Sequence, residues 1–453
     1  MADQYINLMN SNNLFNSYNN ADEEFRSYTI VLFIFFVLLS GSQSISSYES
    51  FFESSMQNIL FIIIIICILI VIIYNIINIL NLQQKNCDYI NNQYPSINGN
   101  IISITPDFSG NLSNYYIKTA YNACSGGSYS NDYVDICVLK AIIKQGVRCL
   151  DFEIYSIDNK PVVASSTSTD FFIKETFNYV PFENVMKTIN DYAFTSGTCQ
   201  NSDDPIILHL RIKSNNQEMF TNMAKIFEKY PMVGPEYSYN DTNPQSGITK
   251  NIGSESLLKF KNKILLIVDR TNTSFLENEA LLEFVNMCSN SIYMRSFKSN
   301  DISLIKNDNN LQNELKNFNV NNLSIVLPDN GSNPYNPNWA ACEELGCQMV
   351  AMRYQYDDDY LKTYNKAFDT YNSAFRLKSE ELRTLNPNLM PSENTILNMI
   401  IGYKQDSAKS AENSAKSAQE SAKSAQESAN YSKNSLKPVV TSSNNTNAQS
   451  KSV

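Results

Sequence analysis

Histidine occurs once in these 453 residues. A single imidazole excludes a histidine-rich zinc site and any mechanism that needs two imidazoles, one as base and one as acid. Glycine is also scarce, at 13 residues, which argues against several glycine-rich phosphate loops. Charge is thin: Asp, Glu, Lys and Arg make up 18% of the chain, against about 25% in an average soluble protein. The 35 basic and 45 acidic residues leave a net charge of −10, and a nucleic-acid binder needs a basic surface to meet phosphates. Nine cysteines are too few in a chain this long to read as a disulfide scaffold. Length excludes little, because one domain takes roughly 100 to 200 residues.

What is abundant is apolar and clustered. Residues 1–27 are a polar arm carrying Asp3, Asp22, Glu23, Glu24 and Arg26. An apolar run from Tyr28 to Leu39 follows, then a Ser-rich interval, then a longer run from Ile59 to Leu80. Between Ile59 and Ile73 the only side chain that is not hydrocarbon is the Cys67 thiol. As a helix, 59–80 spans a bilayer core of about 30 Å. The first run covers only about 18 Å unless its helix continues through Ser40, Gly41 and Ser42. The arm before it lacks the basic start of a signal peptide. We therefore expect a membrane region over 28–82 with segments 28–42 and 59–80, either a two-segment hairpin or one span plus an interfacial segment. Flanking cations (Arg26, Lys85) are too sparse to orient it.

From 101 to 399 the pattern changes to short apolar strands alternating with helical stretches. Strands are expected at Leu150–Tyr155, Pro205–Ile212, Ile264–Val268, Ser324–Leu327 and Met349–Tyr354. Helices are expected at Val134–Gln145, Phe182–Ala193, Gln217–Lys229 and Glu279–Met287. Such alternation predicts a parallel sheet with helices outside, as an eight-fold barrel or an open sheet. Over 403–437 alanine falls at 408, 411, 415, 418, 422, 425 and 429. These alternate steps of three and four are the a and d positions of a heptad, so one alanine stripe runs down a helix that can self-associate or meet a partner helix. Residues 438–453 have a disordered composition.

Several blocks in the middle of the chain resemble a known family. Tyr115-Tyr116-Ile117-Lys118-Thr119-Ala120-Tyr121-Asn122 leads through a helix to Gly146-Val147-Arg148-Cys149-Leu150-Asp151-Phe152-Glu153 and Pro161-Val162-Val163. Then come VMKTINDYAF from Val185 to Phe194 and Pro205-Ile206-Ile207-Leu208. Together these resemble the X box of the phosphoinositide-specific phospholipases C. NPYNPNWAACEELGCQMVAMRYQ from Asn333 to Gln355, Ala374-Phe375-Arg376-Leu377-Lys378 and Leu382-Arg383 look like its Y box. The resemblance implies a (β/α)8 TIM-type barrel over 101–399, with an X-like half at 113–230 and a Y-like half at 256–385. The family's pleckstrin, EF-hand and C2 modules have no counterpart here.

The family cleaves an inositol-lipid phosphodiester with two histidines and a calcium ion, and both histidine positions are changed. One corresponds to Tyr121 and the other to Ser165. A phenol with pKa near 10 and a hydroxyl cannot exchange protons near pH 7 as imidazoles do. Of the calcium ligands, the resemblance keeps Asn122, exchanges the acid type at Asp151 and Glu153, and places Arg211 where a glutamate is usual. Calcium needs six to eight oxygens, so a guanidinium in that shell predicts no metal, and Arg211 is expected to pair with both carboxylates instead. The family's phosphate-binding lysines fall near Ile267 and Asp269 and its Y-half arginine near Ile325, leaving Ser296 as a possible substrate contact.

His209 shares a strand face with Arg211, and nothing in the sequence pairs it with a nucleophile; a packed side chain is its plain reading. Cys149 and Cys347 read as packing residues, while Cys124, Cys137, Cys199 and Cys342 are available to pair in an oxidising lumen. Sequons at Asn111, Asn240, Asn272, Asn322 and Asn330 are expected by chance in so Asn-rich a chain. The expectation is a membrane-anchored, phospholipase C-like barrel that binds lipid or protein without catalysis and takes no cofactor. Two alternatives stand beside it. One is an active phosphodiesterase with an atypical site using Asp151, Glu153, Tyr121 or His209, with calcium as its cofactor. The other is a structural membrane protein.

Overall fold

The computed structural model describes residues 50–168, 172–239 and 251–383. The arm 1–27, the first apolar segment 28–42, the alanine heptads 403–437, the tail 438–453 and the Asn240 sequon lie outside the described residues. The chain divides into two compact units, 1–82 and 83–453.

Helix α1, Ser50–Gln93, is 44 residues long. It carries the 59–80 run, whose apolar side chains are exposed along its length, from Ile59 at 56% to Leu80 at 68%. An apolar stretch of this length is sufficient to cross a membrane. From residue 83 onward α1 is polar and belongs to the second unit.

The second unit is built on one 11-stranded sheet. Its strands are β1 Tyr115–Ala120, β2 Cys149–Ile157, β3 Lys160–Ala164, β4 Val180–Pro181, β5 Ile206–Ile212, β6 Ile264–Asp269, β7 Met287–Ser289, β8 Met294–Lys298, β9 Leu323–Leu327, β10 Met349–Met352 and β11 Phe375–Leu377. Eight of them follow the order β7-β6-β5-β2-β1-β10-β9-β8, with every pairing along the path parallel. This is a nearly closed parallel barrel of the TIM type, as expected. It is open between β7 and β8, which are not hydrogen-bonded to each other. Strands β1, β5 and β6 are buried along their whole length, which explains their continuous apolar runs: helices cover one face and the barrel interior the other. Short β3 and β4 extend β2 as an antiparallel flap, and β11 pairs with the start of β1.

The helices are α2 Ile136–Lys144, α3 Phe182–Ala193, α4 Gln217–Phe227, α5 Glu279–Leu282, α6 Ser299–Ile305, α7 Asn309–Asn321, α8 Trp339–Glu344 and α9 Asp359–Tyr371. Most start at an Asp or Asn whose side chain accepts a backbone N–H of the first turn, as Asp135 does for α2 and Asn216 for α4. Helix α2 is closed by Gly146 at φ 76°, where an added Cβ would lie 2.6 Å from Ile101, so only glycine fits.

The expected helix 279–287 is not formed as such. Only the single turn α5 is helical, and Met287 begins β7, whose backbone pairs with Ile267 of β6. The apolar residues there are needed by the barrel as a strand, and tertiary pairing overrides local periodicity.

Candidate functional site

The site lies where β1, β2, β5, β7 and β8 reach their carboxyl ends, the end at which barrel enzymes place their chemistry. Facing follows from register. Asp151 is in register with His209, and Glu153 with Arg211. Residues two apart in a strand share a face, so the four side chains form a square. On β8, Arg295 pairs with Glu314 and stacks on Phe318, both on α7. Ser296 and Lys298 therefore point the other way, into the barrel.

Arg211 is the centre of this square. Its Nη2 donates to Asp151 Oδ2 and Asn122 Oδ1 at 2.7 Å each, its Nε to Asp151 Oδ1 at 3.0 Å, and its Nη1 to Glu153 Oε1 at 2.6 Å. The guanidinium lies 4.5 Å from the Tyr121 ring centroid. Tyr121 meets Tyr129 edge-on at 5.3 Å, and Arg353 Nε donates to the Tyr129 hydroxyl at 2.9 Å. The second Glu153 oxygen accepts from the Tyr155 hydroxyl at 2.6 Å, Ser166 N at 2.9 Å and Ser166 Oγ at 3.1 Å. Asn122 sits at φ 42°, a left-handed conformation that Asn tolerates; its N–H reaches Asp151 Oδ2 at 3.2 Å.

The electrostatics follow from burial. Asp151 and Glu153 are both fully buried and Arg211 is 2% exposed. Burial pushes the Asp151 carboxyl up, but Arg211 and His209 outweigh it and hold it well below the ordinary carboxylate range. Burial acts to lower Arg211, while Asp151, Tyr121 and Glu153 hold it well above its ordinary value. Tyr121 is raised by burial, against the opposing pull of Arg211; this phenol stays protonated and cannot act as a base near neutral pH.

Of the other predicted positions, Ser165 is buried and accepts a 3.3 Å bond from Ser125 Oγ. Ser296 faces the interior beside Ile325, its register partner. Ile267 is buried, and Asp269 accepts from Thr271 and Asn290. His209 is packed, and both ring nitrogens have partners that the sequence did not show: Nδ1 is 2.7 Å from Asp151 Oδ1, and Nε2 is 3.0 Å from Ser289 Oγ. All three residues are fully buried. Ser289 was not identifiable from sequence because the expected helix ended at Met287 and no strand was expected after it. The cysteine pairing also differs from expectation. Cys137 is bonded to Cys87, whereas Cys124, Cys199 and Cys342 are free and buried; the polar end of α1 reaches Cys137 first.

Lys298 was missed as well. Its Nζ and the Asn122 Nδ2 are sheltered from solvent without an acceptor among the described residues. Burial and the nearby Arg211 charge lower Lys298 to about 8, against the pull of Asp151, Glu153 and Asp269. A calcium ion does not fit this site. Asp151, Glu153 and Asn122, the oxygens that would ligate it, already accept from a permanent cation held at their centre, and that cation is covalently part of β5.

Residues 108–270 match the family described as Phosphatidylinositol-specific phospholipase C, X domain. Comparison with curated protein sequences finds no match. Among solved structures the chain is similar to L. pealei PLC21, with 18% identity, a TM-score of 0.46, and coverage of 62% of this chain and 40% of that one. It is also similar to S. officinalis PLC21, at 16% identity, TM-score 0.47 and the same coverage. A calcium-dependent phosphoinositol-specific phospholipase C from a Gram-negative bacterium, Pseudomonas sp, shows 10% identity and TM-score 0.39 over 60% of this chain and 98% of that one. The chain thus matches about 40% of the length of the two PLC21 proteins. The family match thus covers residues 108–270, the stretch of the barrel from just before β1 to just past the end of β6.

Proposed function

We propose that this protein is a membrane-anchored phospholipase C-like barrel that binds an anionic lipid headgroup without hydrolysing it. The observation that carries the reading is Arg211, bonded at once to Asp151, Glu153 and Asn122. Those oxygens are committed to an internal ion pair, and Tyr121 and Ser165 stand where the family's proton-transfer groups would be. General acid and base steps contribute typically 10² to 10⁴-fold each, so their joint loss lowers turnover by several orders of magnitude. What the mouth retains is the means to hold an anion: Lys298 Nζ and Asn122 Nδ2, two donors without acceptors among the described residues, beside Ser296. The apolar run of α1 supplies the anchor. The full chain, incubated with vesicles containing phosphorylated inositol lipids, should bind them and release no inositol phosphate with or without calcium. Calcium-dependent release, abolished by Asp151→Asn, would defeat the reading.

A second reading rests on the Asp151–His209–Ser289 line. A carboxylate, an imidazole and a hydroxyl in hydrogen-bonded sequence is the arrangement that activates a serine nucleophile. Against it, Ser289 is fully buried and Asp151 is neutralised by Arg211. Lipid turnover without calcium, lost in Ser289→Ala, would favour it.

A further inference from the structure

The junction between α1 and the barrel holds a feature that the site does not use. Cys87, on the polar end of α1, is disulfide-bonded to Cys137 in the first turn of α2. The two helices are bonded around it as well. Asp135, which caps α2, accepts from Gln83 Nε2, and Asp132 accepts from Asn86 Nδ2 at 2.7 Å. Cys137 is partly exposed, so the bond is within reach of reductants. Thiols of reducing compartments break such bonds, and oxidising ones preserve them.

The cysteines outside this bond agree with it. Those of the described barrel, Cys124, Cys149, Cys199, Cys288, Cys342 and Cys347, are all buried. Burial raises the Cys124 and Cys149 thiols far above their ordinary value, which makes them inert. The described barrel surface therefore offers no reactive thiol, the condition a protein in an oxidising compartment has to meet.

An oxidising compartment also gives the sequons meaning, and the fold separates them. Asn272 donates its side-chain amide to both Ile212 O at 3.1 Å and Ser214 O at 2.9 Å. A glycosylated amide keeps one hydrogen and cannot make both bonds. Asn322 accepts from Asn251 Nδ2 at 3.1 Å. Asn111 opens a turn and donates its own N–H to Asn114 Oδ1 at 2.8 Å. Asn330 differs from the half-buried Asn272 and Asn322: it is exposed just past β9, and Gly331 after it, at φ 137°, has open space where a Cβ would lie.

We propose that the barrel lies in an oxidising, non-cytosolic compartment, where Cys87 and Cys137 are joined and Asn330 is an acceptor for an N-linked glycan. This is independent of whether the barrel hydrolyses lipid, and the two readings fail separately. The test is expression of the full chain in cells with a glycosylating secretory pathway, with thiols alkylated at lysis. Peptide mapping of the wild-type chain should recover Cys87 and Cys137 as one disulfide-linked pair and a glycan remnant on the Asn330 peptide. A glycosidase-sensitive mobility shift should shrink in Asn330→Gln and stay unchanged in Asn272→Gln. Because the mapping is read on the wild type, it does not depend on any variant folding. Alkylation of both cysteines, or a bare Asn330 in a chain whose disulfide has formed, overturns the proposal.

Discussion

Arg211 is bonded to two buried carboxylates and an amide oxygen, and a residue so committed is costly to remove. Truncating one partner of a buried ion pair leaves an uncompensated charge and costs about 3 to 5 kcal/mol. Arg211→Ala should therefore lower the denaturant midpoint by that order, and Arg211→Lys should recover only part, since an ammonium lacks the planar fork that reaches both acids. Arg211→Glu should restore an oxygen-rich shell and make the melting temperature rise with millimolar calcium, while the wild type does not respond; a calcium-stabilised wild type reversed by a chelator would contradict this. Lys298 gives a pH dependence of definite sign. Its folded pKa is lowered to about 8, so the side chain is cationic below that value and neutral above it. Vesicle binding should weaken as pH rises through 8, and Lys298→Met should remove the pH dependence along with most of the binding. The contact of Arg211 with the carboxylates was legible through the family resemblance, which set Arg211 beside the two acids, with strand alternation putting i and i+2 on one face. Its stacking on Tyr121 and the relay through Tyr129 to Arg353 were not, because residues 129 and 353 come from loops and strands far apart in the chain.

At the scale of elements, α1 and the alanine tail carry the clearest periodic or compositional signals. The apolar run of α1 has exposed side chains and no polar face, so the full chain should stay with membranes through alkaline extraction, and paired Ile66→Asp and Ile70→Asp substitutions should release it. A peptide of residues 403–437 should be helical and should self-associate, since alanine has the highest helix propensity and allows close backbone approach; a monomeric coil by circular dichroism and sedimentation would end that idea. Long runs such as β5 and β6 were readable because parallel strands buried on both faces are continuously apolar. Strand β7 was not. Its three residues are too few to set a period, and it becomes a strand only through pairing with β6.

For the molecule as a whole, the same sequence describes a barrel that resembles an enzyme and a mouth that is filled by its own arginine. Introducing histidines by Tyr121→His and Ser165→His should not confer lipid hydrolysis while Arg211 remains, because Asp151, Glu153 and Asn122 stay bonded to its guanidinium; hydrolysis by that double variant would show that Arg211 is no obstacle. By itself the sequence determined the apolar helix and the alternation of strands with helices, since these rest on local composition and strand period; the choice of a closed barrel over an open sheet came only from the resemblance of its blocks. Only the tertiary structure decided that His209 stands between Asp151 and Ser289, that Lys298 turns inward with no acceptor among the described residues, and that Cys87 rather than another cysteine meets Cys137. Each of these depends on distances between segments 50 to 80 residues apart or more, which the packing of strands and helices sets and local propensity does not.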